Sequence, residues 1–152
     1  MKIKIIIYFM VPLFLTSCKE DIKDVEINFI GTLIKEINVD LGYKWIVILP
    51  GLGCEGCIQE GEVFMKDFIN DKNILFVLTK IESLKILKQK IGVNIHKHDN
   101  IFLDKKGLFD IPTKNKIYPC IIEMKDGKVV SYGFQSPGNS QAFKELKAHI
   151  SN

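Results

Sequence analysis

Residues 43–49 read YKWIVIL, a polar start followed by an unbroken apolar run. A run without alternation predicts a strand covered on both faces. Residues 73–79 (NILFVLT) repeat the pattern, and 120–124 supply a third core strand. Before them, Val25, Ile27 and Phe29, then Leu33, Ile37 and Val39, alternate loosely around Gly31, which predicts one or two strands over 25–40. Ile58, Val63, Phe64, Met65 and Phe68 suit a helix over 57–69, although Gly61 lowers its propensity. Residues 82–91 form an amphipathic pattern with Leu84, Ile86, Leu87 and Ile91 inward, closed by Gly92. A short strand over 101–103 leads into a turn at 104–107. Asp126-Gly127 predicts a hairpin returning along 128–134, and 141–150 predicts a terminal helix. The order, β(β)-β-α-β-α-β-β-α, describes one α/β domain over 25–152 without internal repeats.

Composition narrows the possibilities. A chain of 152 residues, 47% hydrophobic and 26% charged, can bury a core. The net charge of +3 is partly due to Lys2 and Lys4, so no basic patch argues for nucleic acid. Every Lys/Arg position is lysine, which excludes chemistry that needs a planar, bidentate guanidinium.

The leader belongs outside the fold. Lys2 and Lys4 precede an apolar run over 5–15, shorter than the roughly 20 residues of a comfortable membrane span. Leu15-Thr16-Ser17-Cys18 then resembles the lipobox of bacterial lipoproteins, which implies a signal peptide over 1–17, acylation of Cys18 and a tether over 18–24. Without that resemblance the leader is an ordinary secretory signal or an uncleaved anchor. Each alternative sends the chain out of the cytoplasm. Lys19-Glu20-Asp21 is also similar to signals that carry some Gram-negative lipoproteins to the cell surface.

The candidate chemistry lies in PGLGCEGC, residues 50–57, at the first junction between a core strand and a helix. Reactive groups of α/β sheets gather at such carboxyl ends. Cys54 and Cys57 there can be a redox pair, half of a metal site, or a structural bridge. A buried strand, CEGC opening a helix, and the later YPCIIEMKDGKVV (118–130) together resemble the thioredoxin fold, most closely its membrane-anchored oxidoreductases and redoxin-like lipoproteins. The resemblance implies a central mixed sheet flanked by helices, with extra N-terminal strand material. It also implies thiol–disulfide exchange on extracytoplasmic proteins, with no cofactor and with protein thiols and a redox partner as its partners. Cys54 at a helix start faces unpaired N–H groups and the positive end of the helix dipole, which favour the thiolate, so it is the expected nucleophile. Cys57, one turn in, is the resolving thiol. Glu55 beside them disfavours the thiolate and predicts a weak oxidant. Tyr118-Pro119 resembles the family's cis-proline loop and is the expected substrate-binding element.

The chain also departs from that family. Gly53 replaces the familiar aromatic residue before the first cysteine, and no acid lies in 45–49. Glu26, Glu60 and Glu123 are candidate substitutes, each expected at the surface. Cys120 reads as a buried core thiol, or otherwise as a third ligand or alternative disulfide partner. His96 and His98 with the two thiols make copper or zinc binding the rival chemistry. A non-catalytic, lipid-anchored binding protein is a third reading.

Overall fold

The computed structural model describes residues 21–37 and 42–151. The predicted lipidation site Cys18 and the predicted signal peptide over 1–17 lie outside the described residues. Four helices, α1 (Ile22–Glu36), α2 (Glu55–Phe68), α3 (Leu84–Ile91) and α4 (Ala142–Ser151), accompany five strands. The strands are β1 (Trp45–Pro50), β2 (Ile74–Thr79), β3 (Ile101–Asp104), β4 (Cys120–Lys125) and β5 (Lys128–Phe134), in the order β3-β2-β1-β4-β5. β1, β2 and β3 are parallel, whereas β4 runs antiparallel to both β1 and β5. The result is an α/β fold with a mixed sheet flanked by helices.

Alternation along the central strands explains the layers. Trp45, Val47 and Leu49 of β1 join Ile74, Phe76 and Leu78 of β2 on one face, under Phe64 and Met65 of α2, Leu87 of α3 and Phe143 of α4. Ile46, Ile48, Leu75 and Val77 point the other way, against Ile30, Leu33 and Ile34 of α1 and Phe109 and Ile111 of the loop after β3. Both faces of β1 and β2 are therefore buried, as their uninterrupted apolar sequences require. At the end of β4, Asp126 (φ 50°) and Gly127 (φ 71°) both occupy the left-handed region, the conformation a two-residue hairpin turn uses.

The expected N-terminal strands are replaced by α1. Its buried residues, Glu26, Ile30, Leu33 and Ile34, fall at i, i+4, i+7 and i+8, the period of a helix face. Asp21 caps it, accepting a 3.1 Å hydrogen bond from Lys23 N. The β-branched residues of this segment favour strand locally, but burial of one helical stripe on the sheet decides the outcome. Residues 22–24 of the expected tether thus form the first turn of α1, while 38–40 of the expected strand region lie outside the described residues.

Gly61 has a packing role. A Cβ there would overlap Leu49 Cδ2 and stand 3.2 Å from Phe143 Cζ, so its absence lets α2 settle onto β1 beside α4. Gly61→Val should destabilise the fold by about 1–3 kcal/mol through overpacking. Denaturant unfolding checks this; an unchanged midpoint would contradict the close approach.

Candidate functional site

The end of β1 delivers the pair. The row Pro50–Thr79–Asp104 closes the parallel part of the sheet, and the chain turns from Pro50 through Gly51, Leu52 and Gly53 to Cys54. Cys54 is the N-cap of α2, in extended conformation, and its carbonyl accepts the Ile58 N–H at 2.9 Å. The first-turn N–H groups behind it have no acceptor within the helix. Cys57 is buried one turn inside, Cys54 is half-buried, and their sulfurs stand at disulfide distance with the Cα atoms 5.3 Å apart. Glu55 is exposed in the first helical turn and accepts a 3.3 Å hydrogen bond from Gln59 Nε2.

A second segment crosses this helix start. Ile117, the last residue of a 3₁₀ turn over Lys114–Ile117, accepts the Cys54 N–H at 3.0 Å. Gly53 lies directly against it with φ +152°, and a Cβ there would collide with the Ile117 carbonyl. Its conformation and the contact together explain why an aromatic side chain is missing before Cys54.

Tyr118 and Pro119 follow, but the peptide bond between them is trans, not cis. The trans form is the intrinsically favoured one by about 0.5–1 kcal/mol, and the change of direction over the helix start is already made by the 3₁₀ turn. Tyr118 (φ −107°, ψ 146°) has the extended conformation a following proline demands. Its N–H donates to Asn115 O at 3.0 Å, and Pro119 O accepts from Gln135 N at 2.9 Å. The Tyr118 N–H is therefore already engaged and is not free to donate to an extended substrate.

Glu26, expected at the surface, is only 2% exposed. Its carboxyl accepts hydrogen bonds from Thr113 Oγ1, from Asn115 Nδ2 at 2.8 Å and from Tyr132 OH at 3.1 Å. Burial and, after it, the hydrogen bond to Glu26 push the Tyr132 phenol up to about 12, so its proton is held in that contact. Thr113 also caps the 3₁₀ turn, accepting from Asn115 N at 3.2 Å. Sequence pattern concealed this residue because a lone glutamate in a presumed strand carries no partner information. The next loop anchor is Asp104, which accepts from Thr79 Oγ1 at 2.9 Å, Leu108 N at 2.9 Å and Phe109 N at 2.8 Å. Glu60 is exposed and accepts from the buried Gln135 amide, which also bonds Ser140 O and receives the Phe143 N–H of α4. Glu123 is half-buried and accepts from Ser131 Oγ at 2.9 Å.

The other sequence candidates separate from the pair. Cys120 is fully buried among Ile46, Ile48 and Ile122, on the sheet face opposite α2. His96 and His98 immediately precede β3, at the amino ends of the parallel strands, whereas Cys54 follows their carboxyl ends. A six-residue strand separates those ends by about 20 Å, so neither histidine joins the two thiols. Among the described residues, no group of three or more His, Cys, Asp or Glu is arranged to hold a metal ion. A cleft of about 450 Å³ at the histidine end, lined by Tyr43, Asn70, Lys72, Lys97 and His98, contains no sulfur. No helix among the described residues is long and apolar enough to cross a membrane. No protein-family model matches the chain, and neither a curated protein nor a solved structure matches it significantly.

Burial, and after it the charge of Glu26, push the Cys120 thiol pKa well above its ordinary value of 9.0. The unfolded chain then loses this proton at lower pH than the native one. Above pH about 9 the unfolded state holds fewer protons, so stability should fall by up to about 1.4 kcal/mol per pH unit. Denaturant unfolding between pH 8 and 10.5 measures the slope, and Cys120→Ala should flatten it. An equal slope in both proteins would mean that Cys120 is not the group responsible.

Proposed function

We propose that the chain is a thioredoxin-like, lipid-anchored thiol–disulfide exchanger acting outside the cytoplasm. The observation that carries this reading is the position of Cys54. It is the N-cap of a helix at the carboxyl end of the central strand, with Cys57 buried one turn behind it at disulfide distance. The parallel β1–β2 pair, antiparallel β4–β5 hairpin and closing α4 support the thioredoxin-like assignment. The lipobox-like Leu15–Cys18 sequence supports the anchor.

In the reduced protein, Cys54 thiolate attacks one sulfur of a client disulfide. A mixed disulfide forms and the client's other sulfur leaves as thiolate. Cys57 thiolate then attacks Cys54, closing the Cys54–Cys57 bond and releasing the client's second thiol. Two electrons pass to the client, and a partner dithiol must return them to the pair. The unpaired N–H groups at the start of α2 favour the Cys54 thiolate, while Glu55 opposes it, which points to a reductant-like poise.

In the insulin-disulfide reduction assay, the full chain in detergent should turn over with a dithiol donor. Cys54→Ser should abolish turnover, and Cys57→Ser should accumulate the mixed disulfide. A pair that glutathione cannot reduce, with no turnover, would instead make the disulfide a structural brace. Thiolate absorbance should give Cys54 an apparent pKa that Glu55→His lowers; a wild-type value well below neutrality would sink the reductant-like poise.

A further inference from the structure

The redox end of the domain carries features that thiol exchange alone does not use. Five of the seven exposed large hydrophobic side chains among the described residues, Ile22, Leu52, Ile86, Leu108 and Ile117, are between 39% and 56% exposed and lie at this end. Leu52 and Ile117 border Cys54. Leu108 is bonded to Asp104, in the row that ends β1, β2 and β3. Ile22 opens α1, whose Glu26 holds Thr113 and Asn115, four and two residues before Ile117.

Exposed lysines are interleaved with these apolar tips: Lys105 and Lys106 beside Leu108, Lys114 and Lys116 beside Ile117. The exposed acidic groups nearby are Asp21, Asp24, Glu55 and Glu82, while Asp110 is paired with Lys80 at 2.6 Å. Apolar tips among flexible, stemmed cations match the two layers of a lipid surface, acyl boundary below and anionic headgroups above.

The course of the chain favours the bilayer over a protein as occupant. α1 begins beside the segment 113–117 that lies against Cys54, and it runs back toward the start of β1. Cys18 is three residues before Asp21 in sequence, a span of at most about 11 Å. Glu26 and Cys54 are both bound to the segment 113–117, whose 3₁₀ turn advances only about 2 Å per residue.

We infer that the redox end docks on an anionic phospholipid surface through Leu52, Leu108, Ile117 and the flanking lysines, so that the pair exchanges with thiols held at or in the membrane. This rests on the lipid-anchored exchanger reading. The test uses the full chain mixed with vesicles of phosphatidylcholine alone or with phosphatidylglycerol, both bearing brominated acyl chains. Tryptophan is placed at the redox end (Leu108→Trp) or at exposed Val130 on β5 as control; native Trp45 is buried and constant.

Leu108→Trp should be quenched at least twofold more than Val130→Trp in phosphatidylglycerol vesicles, with the difference reduced in phosphatidylcholine. Changing Lys105, Lys106, Lys114 and Lys116 to Glu should bring it to the control level. Equal quenching at the two positions would overturn the docking, as would burial of Leu108→Trp only when a protein client is trapped on Cys57→Ser. Flotation on phosphatidylcholine reads the anchor separately: its loss with quenching retained in phosphatidylglycerol removes the anchor and keeps the docking. Insulin reduction reads the exchange chemistry independently of both.

Discussion

Two stretches of backbone share one narrow space at the carboxyl end of the central strand: Gly53–Cys54, leaving β1, and Ile117, approaching β4. The Cys54 N–H reaches the Ile117 carbonyl at 3.0 Å, and no Cβ fits at position 53 while that contact exists. Much else follows from it. The start of α2 is held in place from outside the helix, so the orientation of the first-turn N–H groups does not depend on the cysteine side chains. Three residues after Ile117, Cys120 is already in register with Ile48 of the central strand. The site is therefore built mainly of main chain, and Gly51 and Gly53, each pressed against neighbouring backbone, are a geometric requirement of that construction.

The long connection between β3 and β4 has little regular structure, yet it covers one face of the sheet with Phe109 and Ile111. It is secured near both ends by buried carboxyl groups. Asp104 gathers the backbone N–H groups of Leu108 and Phe109, and Glu26 gathers the side chains of Thr113 and Asn115. Irregular backbone at a buried surface needs such partners, because each unmade hydrogen bond costs about 1–3 kcal/mol. Glu26 also makes α1 part of the same assembly. Through Thr113, α1 is coupled to the segment lying against Cys54.

The central architecture was legible because burial on two faces leaves a strong trace. The apolar runs 43–49 and 73–79 correspond to β1 and β2, and Asp126-Gly127 marks the hairpin, because each rests on local pattern or turn chemistry. CEGC at the strand–helix junction located the pair for the same reason. What escaped depended on partners distant in sequence. The segment 25–40 contains both a period-two and a helical pattern, and only packing on the sheet selects Glu26, Ile30, Leu33 and Ile34 as one face. The trans bond before Pro119 belongs to this class, since the turn that made a cis bond unnecessary is set by Thr113 and its contact with Glu26. His96 and His98 were separated from the thiols by sheet direction, which no spacing rule encodes.

If the chain exchanges disulfides as proposed, the burial of Cys120 has a kinetic meaning. A mixed disulfide on Cys54 can decay through whichever nearby sulfur attacks first, and a third reactive thiol would open a competing branch. Cys120 lies beneath the opposite face of the sheet with no exposed surface, and its proton is retained. In the proposed exchange, the only sulfur of the described domain left to discharge the intermediate is Cys57. The residence time of a client on the protein is then governed by a single geometric variable, the approach of the first turn of α2 to its own cap.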